Sequence, residues 1–394
     1  MHILMIAPTP FFADRGTHIR ILEEALALEK AGNTVTIATY HIGNEINNQF
    51  HTKIDVRRIR WWLFWYRKLE AGADWQKIIL NIFLVRKAFF LARTQKPDII
   101  HGHLHEGVLI AWIIQKIFFW RKLPVVADFH GSLVNEMKSH GYLKTQTLQK
   151  LFMFVEKTVS RRGDFAVVSS PENKAHINSM RKKDDVHIIS DGVNRHHFEG
   201  GTDKQMLRKR MELPQEKILA VYTGALIANK GIDLLLDVIV HMRYEYPQVH
   251  FVLAGFPKEG VEKFVTQQKL QKSVTIVHPL KYKDMPQLCM ACDIGLDPKN
   301  DTTQQASGKI LNYMGAGLSV VCFDRPTNRR YLADGGYYAH KETVEEFSEQ
   351  IINAVTNKEE REKKGKINKE RAQQFSWDQS GKELIKIYKD LCQR

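Results

Sequence analysis

The chain has 394 residues, 43% of them hydrophobic and 26% charged. That excludes a largely disordered chain or a small stapled domain and predicts two domains of ordinary size. Four cysteines make no disulfide framework and fit a reducing compartment. The formal net charge is +14, and residues 1–195 hold 28 Lys and Arg against 18 Asp and Glu, so the excess sits in the first half. Nucleic acid, anionic lipid and phosphate-bearing substrates are the partners such a balance attracts.

The opening HILMIAP reads as a buried parallel strand rather than a secretory leader, because no basic region precedes it. A polar loop, FFADRGTH, leads to the helical pattern IRILEEALALEKAG, with Gly32 as its C-terminal stop. TVTIATY, DIIHGH, PVVADFH, DFAVVSS and VHIISDG follow as strands between helices, and the pattern restarts with KILAVYTG, HFVLAGF, VTIVHPL, DIGLDP and LSVVCFD. Strands alternating with helices predict parallel sheets covered on both faces. The expected class is α/β, with two doubly wound Rossmann-like domains facing across a cleft, and a boundary near Arg195 to Asp203. The apolar run from Val108 to Trp120 is too short for the roughly 20 residues that span a bilayer. Any membrane contact is therefore expected to be peripheral.

Ligands of open α/β sheets bind at the carboxyl ends of strands, so the loops there carry the candidates. Gly16, after Asp14 and Arg15, sits where backbone can approach a phosphate at a helix start. The loop Thr223-Gly224-Ala225-Leu226-Ile227-Ala228-Asn229-Lys230-Gly231 offers Lys230 as a point charge for a pyrophosphate. In QQASGKILNYMGAGLSVV, Ser307-Gly308 reads as a helix start and Gly317 as its stop, with Gln304 and the Ala306–Gly308 backbone toward the ligand and Asn312 on the helix. The same segment also reads as a capped core helix. His101, His103 and His105 on an extended segment would share one face, and His130 ends a strand; hydrogen bonding explains these histidines more simply than a metal. Cys289 and Cys292 have redox or zinc spacing without a second pair, and read as buried packing. RRIRWWLFWYRK, from Arg57 to Lys68, joins five basic residues to five aromatics with no acid. It suits a lipid headgroup interface, base stacking, or an amphipathic element with core tryptophans.

Taken in order, these segments resemble glycosyltransferase family 4, whose members have the GT-B fold. The resemblance is carried by Arg15-Gly16, His130, SDGVNRHHF, YTGALIANKG, KILNYMGAGLSVV and the ending FSWDQSGKELIKIY. It implies an acceptor-binding domain over 1–197, a nucleotide-sugar domain over 198–375, and a closing helix over 376–394 that packs back on the first. It implies retaining transfer from a UDP- or GDP-sugar with no obligatory metal or other cofactor. Gly16 would lie against the donor phosphates, His130 would contact the donor sugar, and Lys230 would neutralise the departing diphosphate. Arg15, Gly224, Gln304, Ala306, Ser307, Gly308, Lys309 and Asn312 complete the expected donor site. The sequence departs from the family at three places: Ala225 where an arginine is usual, and Gln304 and Asn312 where two glutamates stand eight apart.

The leading reading is a hexosyltransferase of glycan or glycolipid biosynthesis, cytoplasmic or peripheral on the inner membrane face, acting on a lipid-linked or other glycan acceptor. Arg57, Arg58, Arg60, Trp61, Trp62, Trp65, Arg67 and Lys68 would form the membrane or acceptor contact. The three departures favour, as the alternative, a catalytically weak GT-B-shaped binding or scaffolding subunit. No nucleic-acid motif accompanies the charge, so no nucleic-acid partner is expected.

Overall fold

The computed structural model describes the chain except residues 14–15, 61–64, 68–74, 140, 201–202, 301–303 and 394, and the side chain of Asn48. It divides into two compact units. The first comprises residues 1–191, 302–306 and 377–394, and the second comprises 192–301 and 307–376.

The first unit is built on seven parallel strands: β1 (His2–Ala7), β2 (Thr34–Thr39), β3 (Asp55–Arg58), β4 (Ile99–His103), β5 (Val125–Phe129), β6 (Phe165–Val168) and β7 (Val186–Ile188). Their order is β3-β2-β1-β4-β5-β6-β7. β1 and β5 are buried almost along their whole length, as a sheet covered on both faces requires. The helix Gly16–Lys30 follows β1 and stops before Gly32, whose φ of 83° is the left-handed conformation a helix stop needs. The helix Trp377–Cys392 belongs to this unit too. A Cβ on its Gly381 would stand 2.8 Å from Ala27 Cβ, so the missing side chain is what lets it lie close on the first helix.

The second unit has six parallel strands: β8 (Ile218–Thr223), β9 (Val249–Ala254), β10 (Val274–Val277), β11 (Ile294–Asp297), β12 (Ser319–Phe323) and β13 (Gly336–Ala339). Their order is β10-β9-β8-β11-β12-β13. Its core gathers Leu253, Leu235, Ile239, Phe347 and Ile351. Each sheet thus reverses direction once, between β1 and β4 and between β8 and β11, and the crevice outside the strand ends at such a reversal is where doubly wound sheets take ligands. β3 and β13 are edge strands that no run in the sequence announced. β3 runs into the start of the basic stretch at Arg57 and Arg58, and its DVRR pairs in parallel with β2. Among the described residues no helix is long and apolar enough to cross a membrane.

Candidate functional site

The loops leaving β8 and β11 are pulled together by glycines. Gly224 follows β8 with φ of 131°, a conformation other residues rarely adopt. A Cβ on Gly231 would fall 1.9 Å from the Pro298 carbonyl oxygen, so the start of the helix Ile232–Met242 runs directly against the segment after β11. Lys230, closing the short turn Ala228–Lys230, is thereby brought to Lys299. Lys309 joins them from the first turn of the helix Gly308–Gly315. Its Nζ lies 3.4 Å from Asp297 Oδ1 and 3.9 Å from the centroid of the Tyr222 ring. It also comes within 3.7 Å of where a Gly224 Cβ would be. Arg325, at the end of β12, pairs with Glu342 at 2.6 Å.

Lys299 is only 5% exposed. Burial pushes its ammonium well below the ordinary lysine range. Lys230 adds to this, Asp297 opposes it, and Lys309 and Arg325 push further in the same direction. Burial also lowers Lys309, against the pull of Asp297. Several cations crowded at a sheet's reversal, beside the N-terminus of the helix that starts at Gly308, form a place suited to an oxygen-rich anion such as a diphosphate. The floor is rigid: the Tyr313 hydroxyl accepts from Thr223 N–H at 2.9 Å, and the Tyr313 ring fills the space where a Gly295 Cβ would stand.

The corresponding place in the first unit is a buried polar cluster. Arg20, on the helix Gly16–Lys30, donates to both carboxylate oxygens of Asp128 at 3.1 and 3.2 Å, to Asp191 at 2.7 Å, and lies 2.9 Å from Glu24. Burial works to raise the Asp128 carboxyl, but Arg20 and then His130 outweigh it and hold it well below the usual carboxylate range. An ionised carboxylate only accepts, so Asp128 Oδ2 takes N–H groups from His103 Nδ1 at 3.1 Å and His130 Nε2 at 3.0 Å. That network orients His130, with Nε2 donating inward to Asp128. Tyr388, from the helix Trp377–Cys392, closes the cluster with its hydroxyl 2.5 Å from His101 Nδ1.

Ligand atoms of Glu24, His101, His103 and Asp128 lie within 4.8 Å of one another, close enough to hold a metal ion by distance. The Arg20 guanidinium already brings a cation to both carboxylates. Burial raises the Glu24 carboxyl well above its ordinary value, which favours its neutral form.

The three histidines do not share one face. β4 ends at His103, and Leu104, with φ of 61°, begins the helix Leu104–Ile117. His101 and His103 stack with ring centroids 4.3 Å apart. His105 turns instead to Phe129 and to Glu156, 3.8 Å away. The extended reading fails because a single left-handed residue converts strand to helix inside the motif.

The remaining candidates are dispersed. Arg15, Trp61, Trp62 and Lys68 lie outside the described residues. Gly16 begins its helix, and a Cβ there meets no atom of the described residues within 4 Å, so their packing does not demand glycine. Gln304 belongs to the first unit; its carbonyl accepts from the Ser170 hydroxyl at 2.7 Å, and the half-buried Ala306 belongs there as well. Ser307 precedes the helix Gly308–Gly315, and Asn312 donates within it to the Gly308 carbonyl at 3.2 Å. Of the basic stretch, Arg58 is spoken for. Its guanidinium donates to the carbonyls of Phe11, Ile42 and Asn44, so it braces the loop after β1 rather than a headgroup. Arg57 pairs with Asp55 at 2.8 Å, Arg60 and Arg67 are exposed, and Trp65 is half exposed. Cys289 and Cys292 are buried, and burial pushes the Cys289 thiol up to about 12.

Sequence reasoning missed Lys299, Arg20, Glu24, Asp128 and Tyr388 as parts of these sites. Asp128 alone had a usable signal, standing two residues before a strand-end histidine. A separate cavity of about 520 Å³, lined by Tyr337, Asn353 and Glu360, contains none of the candidates.

Comparison with known proteins gives these sites a context. Residues 15–197 match the family model "Glycosyltransferase Family 4", and residues 203–371 match "Glycosyl transferases group 1". Spore coat protein SA of Bacillus subtilis is 27% identical over 203 residues, 48% of this chain and 53% of that protein; the match thus spans about half the relative's length. In structure, sucrose-phosphate synthase from Thermosynechococcus elongatus superposes with a TM-score of 0.81 at 18% identity, over 99% of this chain and 98% of that one. Anabaena HepE in complex with UDP and glucose gives 0.77 at 16%, over 99% and 100%. At such identities these structures speak for the fold, which is GT-B: two Rossmann-like α/β domains with parallel sheets of seven and six strands. With both halves matched by family models in order, the chain belongs to the group 1, family 4 glycosyltransferases and is a glycosyltransferase.

Proposed function

We propose that the protein transfers a sugar, with retention of anomeric configuration, from a nucleotide-diphosphate sugar to a lipid-linked or membrane-associated glycan acceptor. The observation that carries the reading is the cation group of the second unit, Lys230, Lys299, Lys309 and Arg325, around the end of β11. Breaking the bond between sugar and diphosphate leaves negative charge on the diphosphate. Fixed ammonium groups and helix-end amides stabilise that charge more in the transition state than before it, which is what accelerates the step. Gly224 and Gly308 let backbone come close to phosphate oxygens. His130, held by Asp128 through Nε2, would contact the donor sugar. That HepE was solved with UDP and glucose makes a UDP-sugar the first donor to try, with GDP-sugars second. In this reading no metal or other cofactor is obligatory, and the enzyme works peripherally at a membrane.

Thermal shift with UDP and GDP, followed by hydrolysis of the matching nucleotide sugars, tests the reading. Lys230→Ala and His130→Ala should each lower turnover by about 3 kcal/mol, on the order of a hundredfold, with the fold intact. Near wild-type turnover in Lys230→Ala would remove its assigned role. Ala225, Gln304 and Asn312 favour a second reading, a binding subunit of weak activity. Nucleotide binding without any donor hydrolysis or transfer would select it.

A further inference from the structure

The helix Gln146–Ser160 turns an apolar ridge outward. Its inner side is fixed by the buried Glu156, Val159 and Ser160. On the outer side Phe154 is 68% exposed and Leu151 54%. Leu148, Leu151 and Phe154 are spaced by three, so they follow one another along the helix surface, with the exposed Met153 beside them. Lys150 and Lys157, two turns apart, are exposed along the same side, and Lys138 and Lys144, both exposed, extend the positive charge ahead of the helix. The only acid of the helix, Glu156, is 1% exposed and accepts from the Leu133 and Val134 amides and from His176. The outer face is therefore apolar and cationic, with no exposed carboxylate from its own helix.

We infer that this helix lies in the plane of an anionic bilayer, with Leu151 and Phe154 at the acyl boundary and Lys150 and Lys157 extended to lipid phosphates. A large apolar side chain on a surface ridge is normally covered, and a face rich in lysine repels a second copy of itself but attracts anionic lipid. Lysine stems lie along apolar surface while their ammonium groups reach the headgroups. A cavity of about 250 Å³ beside the helix is lined by Met153, Lys157, Val134, Met180 and Ser132, and Ser132 stands two residues beyond His130. In its link to sugar transfer the inference rests on the proposed function, since an acceptor held in that bilayer would arrive next to the sugar-facing histidine. It also moves the membrane contact away from Arg58, whose donors are taken by backbone carbonyls.

Flotation of the full chain with vesicles of phosphatidylcholine alone, or equimolar with phosphatidylglycerol, tests it. Wild type should float with the anionic vesicles, less so at high salt, and remain behind with the neutral ones. Leu151→Ser with Phe154→Ser should abolish flotation, and Lys150→Gln with Lys157→Gln should lower partitioning about fivefold per lysine removed. Arg57→Gln with Arg67→Gln should change it less than twofold. The thermal shift given by UDP is measured on every variant and should persist, which separates this inference from the donor reading. Flotation without a UDP shift supports the docking helix and sinks the donor site. A UDP shift with no flotation overturns the docking helix, as does a Leu151→Ser, Phe154→Ser protein that floats like wild type. A dimer in solution that Phe154→Ser dissociates, without flotation, would make a second copy the occupant and overturn the inference as well.

Discussion

The reversals of the two sheets carry charge in opposite ways. In the first unit Arg20 is ringed by Asp128, Glu24 and Asp191: one cation faces three carboxyls, and two histidines point their N–H groups at the same Asp128 oxygen. In the second unit, among the described residues, Lys230, Lys309 and Arg325 push against the charge of Lys299 and Asp297 favours it. Both places are buried, so both carry a large desolvation cost. The first offsets that cost internally and so is stable on its own terms. The second keeps like charges together, a cost that an anionic ligand would relieve. A common topology therefore yields a self-neutralised cluster in one unit and, in the other, a cation group that the proposed function would set against a diphosphate.

This contrast makes opposite predictions for charge removal. The largest effect is expected at Asp128→Ala, which leaves Arg20 short of its main partner. Urea unfolding should show a loss of about 3–5 kcal/mol, and a loss under 1 kcal/mol would break the picture of a self-neutralised cluster. Next is acid. Burial holds His103 and His105 at about 4, from an ordinary 6.5. Between those values the unfolded chain binds protons that the folded chain does not. Stability should then fall as pH drops from 6.5 toward 4, by at most about 1.4 kcal/mol per pH unit for each histidine. The raised carboxyl of Glu24 works the other way and offsets part of it. His105→Gln should flatten the profile; an unchanged slope would mean that His105 is not neutral in the fold.

Lys299→Met should do the reverse of Asp128→Ala. Removing a buried, repelled cation should leave stability unchanged or raised by about 1 kcal/mol. The loss of a charged contact to phosphate should weaken UDP binding roughly tenfold to a hundredfold. A variant that unfolds more easily yet binds UDP normally would place Lys299 in the wrong role. The smallest effect is on the pH dependence of binding. Lys299 and Lys309 sit below the ordinary lysine value in the free protein, whereas a diphosphate favours their charged forms. UDP affinity should fall as pH rises through that depressed range, by less than tenfold per pH unit. Calorimetry in buffers of different ionisation enthalpy should show proton uptake on binding, and binding without uptake would argue that the lysines are already charged.

How much of this was legible in the sequence differs from residue to residue. Lys230 stood out because it follows a glycine-bearing loop after a strand, a local signal. Lys299 did not, because KND after DIGLDP looks like any polar turn; its role comes from contact with Gly231 through Pro298. Trp65 and its neighbours drew attention as a composition anomaly, yet the exposed apolar ridge described is on Gln146–Ser160, whose pattern LQKLFMFVEK reads equally well as a core helix. Amphipathic periodicity reveals that a helix has an apolar side but not which side a neighbour covers.

By itself the sequence determined the parallel α/β architecture, the two successive sets of units, and the loops where ligands meet strand ends. The architecture follows from apolar runs, helix stops and glycines, which act over a few residues, and the loops are the places where doubly wound sheets in general take ligands. Tertiary structure alone decided the edge strands β3 and β13, the turn that separates His105 from His103, and the grouping of charges. Arg20 meets Asp128 across 108 positions of chain, and the packing of Gly231 on Pro298 brings the charge of Lys230 to bear on Lys299. Coulomb and hydrogen-bond energies depend on distance in space, and the fold sets that distance.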